Sequence, residues 1–530
     1  TYQLASLADL FAFRFRSRWV GTLITVISAM AVLPLLALQV QTLGQAIQQL
    51  TGTASPALAA LGFCLVIAVF AVLFGARHTH LNAHQDTLLA VIAVESLVKL
   101  AAMLALGAIA LFGIFDGPSD LQAWLEGPGL THQAGISELD AGQWRTLLLL
   151  FFAAALLMPH MFHLTFAERL SSRALLQAGW SLPLYLLLMA LPVPLILWGA
   201  QRASIAPPGL ESAYLAFALS ASPWVDALAF LAGLAAASGT LIIIALALSG
   251  MILNHLVLVA HPPDHRGDLY RWLRWLRRAL VVAVILSGWL YYRTLGLAHD
   301  LTTLGIASFS GMAQCLPGLL ALLYWPGANR KGMVSGLLVG TGLWVLGLWL
   351  PLVTELPPWV LVPPGLESLA SAPAWYTVTL VALAANAVIL IVVSLLTRTS
   401  EGERTAAEAC AADPVIRPKR LPLSVSHGED FKHHLTPALG ADVAGREVER
   451  ALASLELTSW EHRPYALRRL RDRIQANLSG LMGPSVAQDI VDRCLPYRHD
   501  GAGLERAAVD DIHFVESRLE AYRSRLTGLA

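Results

Sequence analysis

The sequence predicts an all-α, polytopic membrane protein ending in a small soluble helical domain, and three observations predict it. Hydrophobic residues make up 56% of the 530 and charged ones 14%, with mean hydropathy +0.61; a soluble domain averages about 25% charged. Ten segments are apolar over the roughly 20 residues that a helix needs to cross the hydrocarbon core. The charge is placed unevenly, the last 133 residues from Arg398 holding 39 of the 72 Asp, Glu, Lys and Arg side chains.

In order, the predicted spans are 20–46, 56–76, 88–115, 145–166, 176–199, 223–258, 275–294, 302–325, 332–353 and 375–397. The sixth is too long for one straight crossing and is expected to bend or to extend beyond the membrane. Alternate connections differ in basic charge. One set carries Arg14, Arg16, Arg18, Arg77, Arg169, Arg173, Arg266, Arg271, Arg274, Arg277, Arg278, Arg330 and Lys331, while the other has little beyond Arg145, Arg202 and Arg293. Because positive loops stay inside, both visible ends are expected to be cytoplasmic, in a bacterial inner membrane. The loop from Asp116 to Gln143, with acids and no Lys or Arg, fits the periplasmic side.

Composition also excludes functions. With zero net charge and no basic stripe, nucleic acid is not an expected partner. Cys64, Cys315, Cys410 and Cys494 are far apart without CxxC spacing, so no disulfide or metal site is expected, and small apolar packing residues are the simpler reading. The chain opens on Thr1 with no leader pattern, so it reads as a piece of something longer.

Several residues point to function. Glu95 and Lys99 lie one helical turn apart inside an apolar span, where isolated charges are costly and pair with one another, either as a structural ion pair or as a protonation-linked or substrate-linked switch. Pro159 interrupts the fourth span and frees a backbone carbonyl, with His160, Phe162 and His163 as candidate substrate-lining groups or plain interface residues. Gln314, Ser308 and Ser310 beside Pro317 serve equally as a solute path or as interhelical hydrogen bonds. Arg271, Arg274, Arg277 and Arg278 with Trp272 and Trp275 read as a snorkelling anchor in membrane lipid.

Two motifs then carry a resemblance. Leu7-Ala-Asp-Leu-Phe-Ala-Phe-Arg-Phe15 resembles the segment before the fourth helix of sodium/solute symporters, and Gly311 to Leu319, with Tyr324-Trp325 and Asn329-Arg-Lys-Gly332, resembles that family's signature in its eleventh helix. The resemblance implies a LeuT-like inverted-repeat transporter fold of thirteen helices, of which the ten here are the fourth to the thirteenth. It also equates the Pro159 break with the unwound first helix of the second repeat. Ser238 and Gly239 resemble the paired hydroxyl positions of the family's sodium site, with only the first hydroxyl kept. Thr240 or water is then the substitute ligand, sodium coupling is expected to be weakened, and proton coupling or facilitated transport become the alternatives.

A closer resemblance is to CbrA-type sensor histidine kinases, carried by Glu95-Ser-Leu-Val-Lys-Leu100, Pro159 to His163, Ala236 to Gly239 and Leu248 to Met251. It implies a symporter-like domain over 1–397, a linker over 398–423, a four-helix STAC-like bundle over 424–500, and the start of a signalling helix over 501–530. A small solute is the implied ligand, an amino acid and specifically histidine. A downstream kinase domain and a response regulator are the implied partners, in a homodimer. The chain itself holds no kinase H-box or nucleotide-binding glycine motif, so it is expected not to be an enzyme, with catalysis in a part beyond Ala530. A plain secondary symporter with a regulatory tail is the competing reading.

In the tail, Glu401 to Arg420 is rich in Ala, Glu and Pro without apolar periodicity and reads as linker. Phe431, Leu435, Leu439, Val443, Val448, Leu452 and Leu455 predict two short helices, Leu467, Leu470, Ile474, Leu478 and Leu481 a third, and Val486 to Cys494 a fourth. Ile512, Val515, Leu519, Tyr522, Leu526 and Leu529 repeat at three and four, as either a helix of the bundle or a dimeric coiled coil.

Overall fold

The computed structural model describes residues 4–51, 55–75, 86–126, 141–167, 172–203, 223–261, 269–294, 301–354, 375–410 and 423–497. Every regular element among them is helical, apart from one antiparallel bridge between Leu423 and Tyr497. The heptad pattern from Ile512 to Leu529 lies outside the described residues. The fold is an all-α, polytopic one.

Helix α1 (Leu7–Arg14) is capped by Ser6, whose Oγ accepts the Asp9 N–H at 3.2 Å. It turns through Arg16, a left-handed residue at φ 46, into α2 (Arg18–Thr51). Helix α2 is the central post. It packs on α1 and on α3 (Pro56–Phe70), as well as on helices that follow later in the chain. Next come α4 (Asp86–Ile109), α5 (Pro118–Glu126), α6 (Ala141–Leu157), and the short α7 (Pro159–Phe162) with its π-helical continuation His163–Ala167. Met158, in extended conformation at φ −61 and ψ 131, separates α6 from α7, and the pair bends by 48° there. The predicted break at Pro159 is thus real: the proline ring disfavours a helical conformation at the residue before it, and here Met158 is extended.

Helices α8 (Ser172–Ala190) and α9 (Pro192–Arg202) lead to the longest element, α10 (Pro223–Ile252). That helix runs on through a π-helical segment, Leu253–Val257, and a last turn, Leu258–Ala260. Then follow α11 (Leu269–Thr294), α12 (Leu301–Ala313), α13 (Leu316–Tyr324), α14 (Arg330–Trp344) and α15 (Trp375–Leu396). Helices α10, α11 and α12 close around α2, while α14 and α15 form a tightly packed pair.

Eight of the described helices are long and apolar enough to cross a membrane, or nine when the bent α6–α7 pair is counted as one span. The remaining predicted span, the seventh (275–294), corresponds to α11, whose first turns carry Arg271, Arg274, Arg277 and Arg278. Burial separates centre from periphery, since 78% of the apolar window of the α10 span is buried within the protein and only 17% of that of α8–α9. Outward faces such as Leu65, Val66 and Val69 on α3 and Val388, Ile391, Val392 and Leu395 on α15 remain exposed, an apolar surface that suits lipid. The chain is a multi-pass membrane protein.

The segment predicted as linker is a helix in its first half. Helix α16 (Glu401–Cys410) places Glu403, Ala406 and Ala407 against α1 and α13, which corrects the linker reading there. The tail then forms α17 (Asp430–Leu439), α18 (Ala441–Leu455), α19 (Pro464–Met482) and α20 (Pro484–Cys494). Their core includes Phe431, Leu435, Val448, Leu470, Ile474, Leu478 and Val491, and it also takes in Leu253, Leu258, Leu269, Tyr270 and Leu273 from α10's end and α11's beginning. The long sixth span therefore extends into the tail's core. Tyr270 completes this junction, its hydroxyl donating to Glu447 Oε1 at 2.6 Å under the Arg446 guanidinium.

Candidate functional site

The contact between α4 and α10 carries the principal intramembrane charge cluster. Small residues on α10 let the two helices approach, and Glu95 on α4 uses that space. Its carboxylate contacts Ser238 Oγ and accepts the Gly239 N–H at 3.1 Å. A Cβ on Gly239 would come within 2.6 Å of Glu95 Oε2, so the missing side chain is what admits the carboxylate. The position where the resemblance places a second hydroxyl is thus filled by a carboxylate oxygen from another helix. Ser238 Oγ also lies 2.8 Å from the Leu234 carbonyl, and Thr240 Oγ1 donates to the Ala236 carbonyl at 3.0 Å.

Lys99 does not form the predicted ion pair. It lies within electrostatic reach of Glu95, but the carboxylate is turned to α10 and no Glu95–Lys99 salt bridge occurs among the described residues. The reason is geometric: the backbone N–H of Gly239 and the short Ser238 side chain outcompete a long, flexible ammonium.

The sodium reading can be tested on these donors. A hard cation needs several oxygens converging on one point. Here Gly239 presents an N–H, Thr240 is engaged with its own helix, and Ser238 meets Glu95 directly. The set does not fit sodium. No group of three His, Cys, Asp or Glu able to hold a metal occurs among the described residues.

The other predicted site residues are distributed elsewhere. His160 and Phe162 sit on the short α7 after the break; His160 Nδ1 is buried without a partner, and Phe162 packs on Phe166 with ring centroids 5.0 Å apart. His163 Nδ1 lies 3.5 Å from the Ala5 carbonyl, at the foot of α1. No hydrogen bond or ion pair among the described residues joins these three to the Glu95 cluster. Gln314, between α12 and α13, is fully buried; its carbonyl accepts from Asn386 Nδ2 at 2.7 Å, and Ser310 Oγ meets Thr379 Oγ1 at 2.7 Å. That bond uses the main-chain carbonyl of Gln314 and ties α12 to α15, and both readings of the Gln314 side chain stand.

Sequence reasoning missed two clusters. Asp9 Oδ1 pairs with His255 Nε2 at 2.8 Å, with both side chains almost wholly buried. Arg14 donates to the carbonyls of Trp325 at 3.3 Å, Pro326 at 3.1 Å and Ala328 at 3.4 Å, so the two quoted motif segments meet in space. An Asp and an Arg within the aromatic run Leu7–Phe15, and a lone His in the apolar Leu253–Val257, were the available signals.

No known family profile matches the chain, and no curated protein sequence matches it. Among solved structures it is similar to a Na+-coupled sialic acid symporter in a substrate-bound, outward-open state, at 12% identity and TM-score 0.51, with 74% of this chain and 77% of that one covered. The likeness is one of fold: the chain shares the architecture of that symporter.

Proposed function

We propose that this chain binds and moves a small solute by alternating access, coupled to protonation of Glu95. The observation that carries this reading is the contact of Ser238 Oγ with two acceptors, the Leu234 carbonyl and the Glu95 carboxylate. A hydroxyl has one proton to give. Both contacts are satisfied together when Glu95 is protonated and donates to Ser238, which in turn donates to Leu234. When Glu95 is ionised, Ser238 must choose, and the carboxylate holds only the Gly239 N–H securely. Protonation therefore changes how α4 is bonded to α10, and proton binding becomes mechanical work between two packed helices.

The finer reading is that the chain is the membrane and connector part of a two-component sensor histidine kinase in a bacterial inner membrane, with its tail in the cytoplasm. The solute would be an amino acid, histidine being the one the CbrA-type resemblance points to, and the relay would run to a kinase domain and a response regulator. The bundle docked on α10 and α11 supports a relay role. A plain symporter with a regulatory tail is favoured by the same docking if the bundle acts back on transport.

The test is uptake of labelled histidine and other amino acids in proteoliposomes, with proton and sodium gradients imposed separately. Accumulation driven by protons, indifferent to sodium and abolished by Glu95→Gln is expected. Sodium-driven uptake that survives Glu95→Gln would sink the coupling role.

A further inference from the structure

One helix joins the Glu95 cluster to the tail. Ser238 and Gly239 lie on α10, and Asn254 and His255 lie farther along the same rod, about 24 Å away at about 1.5 Å of rise per residue. Where the rod meets the bundle it changes from α to π geometry over Leu253–Val257. Such a segment re-aims side chains and is a recurrent site of functional bending.

The seam at this point is unusually arranged. Leu253 and Leu258 belong to the bundle's core, so the rod's end is held apolar side in. Asn254 between them is 1% exposed, and both atoms of its amide lack a hydrogen-bond partner. Gly483, at the left-handed φ of 81 between α19 and α20, closes over it, and a Cβ there would lie 3.1 Å from the Asn254 Cβ and 3.4 Å from Asp9 Oδ1. Asp9 holds His255, Thr22 Oγ1 donates to the His255 carbonyl at 2.9 Å, and Arg16 reaches Gln488 on α20 at 2.6 Å. Around the rod's end, then, a shared core and the Arg16–Gln488 bond favour closure, while a buried amide with nothing to bond favours opening to water. Opposed terms of this kind, set at a π segment, make a two-position contact.

We propose that the end of α10 is a hinge through which the state of the Glu95–Ser238 cluster sets the seating of the helical bundle, with Asn254 poising the seam between closed and open. A change in the bonding of α4 to α10 shifts or rotates the rod, and the bundle follows because α10's last turns are part of its core. This rests on the proposed role of Glu95, and the experiment separates the two.

The experiment is amide hydrogen exchange across α20 (Pro484–Cys494) and the end of α19 in the purified full chain, comparing wild type, Glu95→Gln, Ser238→Ala and Asn254→Leu at one pH. Glu95→Gln, which fixes the protonated form, and Ser238→Ala, which removes its partner, are each expected to change α20 exchange by about fivefold or more. Asn254→Leu is expected to protect α20 beyond wild type, with solute binding retained, and to suppress the response to Glu95→Gln when the two are combined. Identical α20 exchange in wild type, Glu95→Gln and Ser238→Ala overturns the hinge, even if Glu95→Gln alters transport. A seam that responds while the proton dependence of uptake does not would leave the hinge standing and remove the coupling role from Glu95.

Discussion

At the scale of single residues, the absence of a side chain at Gly239 decides what the intramembrane carboxylate can reach. Gly239→Ser puts a Cβ within 2.6 Å of Glu95 Oε2, and overpacking of this kind costs about 1–3 kcal/mol. The cheaper way out is for the carboxylate to swing off α10. Gly239→Ser is therefore expected to slow proton-driven uptake by about tenfold, the equivalent of about 1.4 kcal/mol, and wild-type uptake rates across the pH range would rule the idea out. In the tail, the Arg463 guanidinium and two backbone N–H groups hold the Glu461 carboxylate down to about 2 from its ordinary 4.5. A depressed carboxylate adds stability that is complete above the unfolded value and fades as pH falls from about 4.5 towards about 2. Glu461→Gln should thus destabilise the tail at neutral pH by about 1–2 kcal/mol, modest because Arg463 is half exposed, and the gap to wild type should close below pH 4.5 in pH-resolved thermal melts. Glu95 was legible as a charge in an apolar span. Its partner was not, because spacing along one helix favours the neighbour a turn away, whereas the actual contacts join residue 95 to residues 238 and 239.

At the scale of elements, helix periodicity was readable wherever the buried stripe is made of large apolar residues, as with Phe431, Leu435 and Leu439 on α17. It failed on α16, whose buried stripe is Glu403, Ala406 and Ala407. These fall at helical spacing, yet alanine and a carboxylate carry too little hydrophobicity to register as a face. What fixes α16 is polar. The Glu403 carboxylate accepts the Arg330 N–H at 2.8 Å and the Ser400 N–H at 2.8 Å, and its carbonyl lies 3.5 Å from Arg14 Nη1. Arg14 in turn satisfies the exposed end of α13. Arg14→Ala would remove the side chain that joins the Trp325, Pro326 and Ala328 carbonyls to α1 and should cost about 2–4 kcal/mol, read as a fall in the melting midpoint of the detergent-purified protein. Arg14→Lys should recover only part of this, because one ammonium cannot reproduce the planar fork that reaches Trp325, Pro326 and Ala328 together. Full recovery by lysine would mean that the charge, not the fork, holds these elements.

At the scale of the whole molecule, the jump in charge density near residue 398 hides that the parts on either side of it share a core. Leu253 and Leu258 read in the sequence as members of a membrane span, and Leu273 as part of the basic connection before the next, since a leucine facing lipid and one facing protein look alike. In the structure all three are buried in the bundle, as is Tyr270, whose phenol is pushed above its ordinary range by burial and by the adjacent Glu447 and so stays a neutral donor. The bundle's hydrophobic core is therefore incomplete without the ends of α10 and α11. Leu273→Ala tests this directly, because Leu273 is 2% exposed and lies on α11, outside the tail sequence altogether. Truncating a buried leucine costs about 2–5 kcal/mol. If the core is shared, that loss appears as faster amide exchange in α19 and α20 and as a common downward shift of one unfolding transition monitored in both parts. If the bundle were self-sufficient, Leu273→Ala would leave tail exchange unchanged, and membrane helices and tail would melt separately.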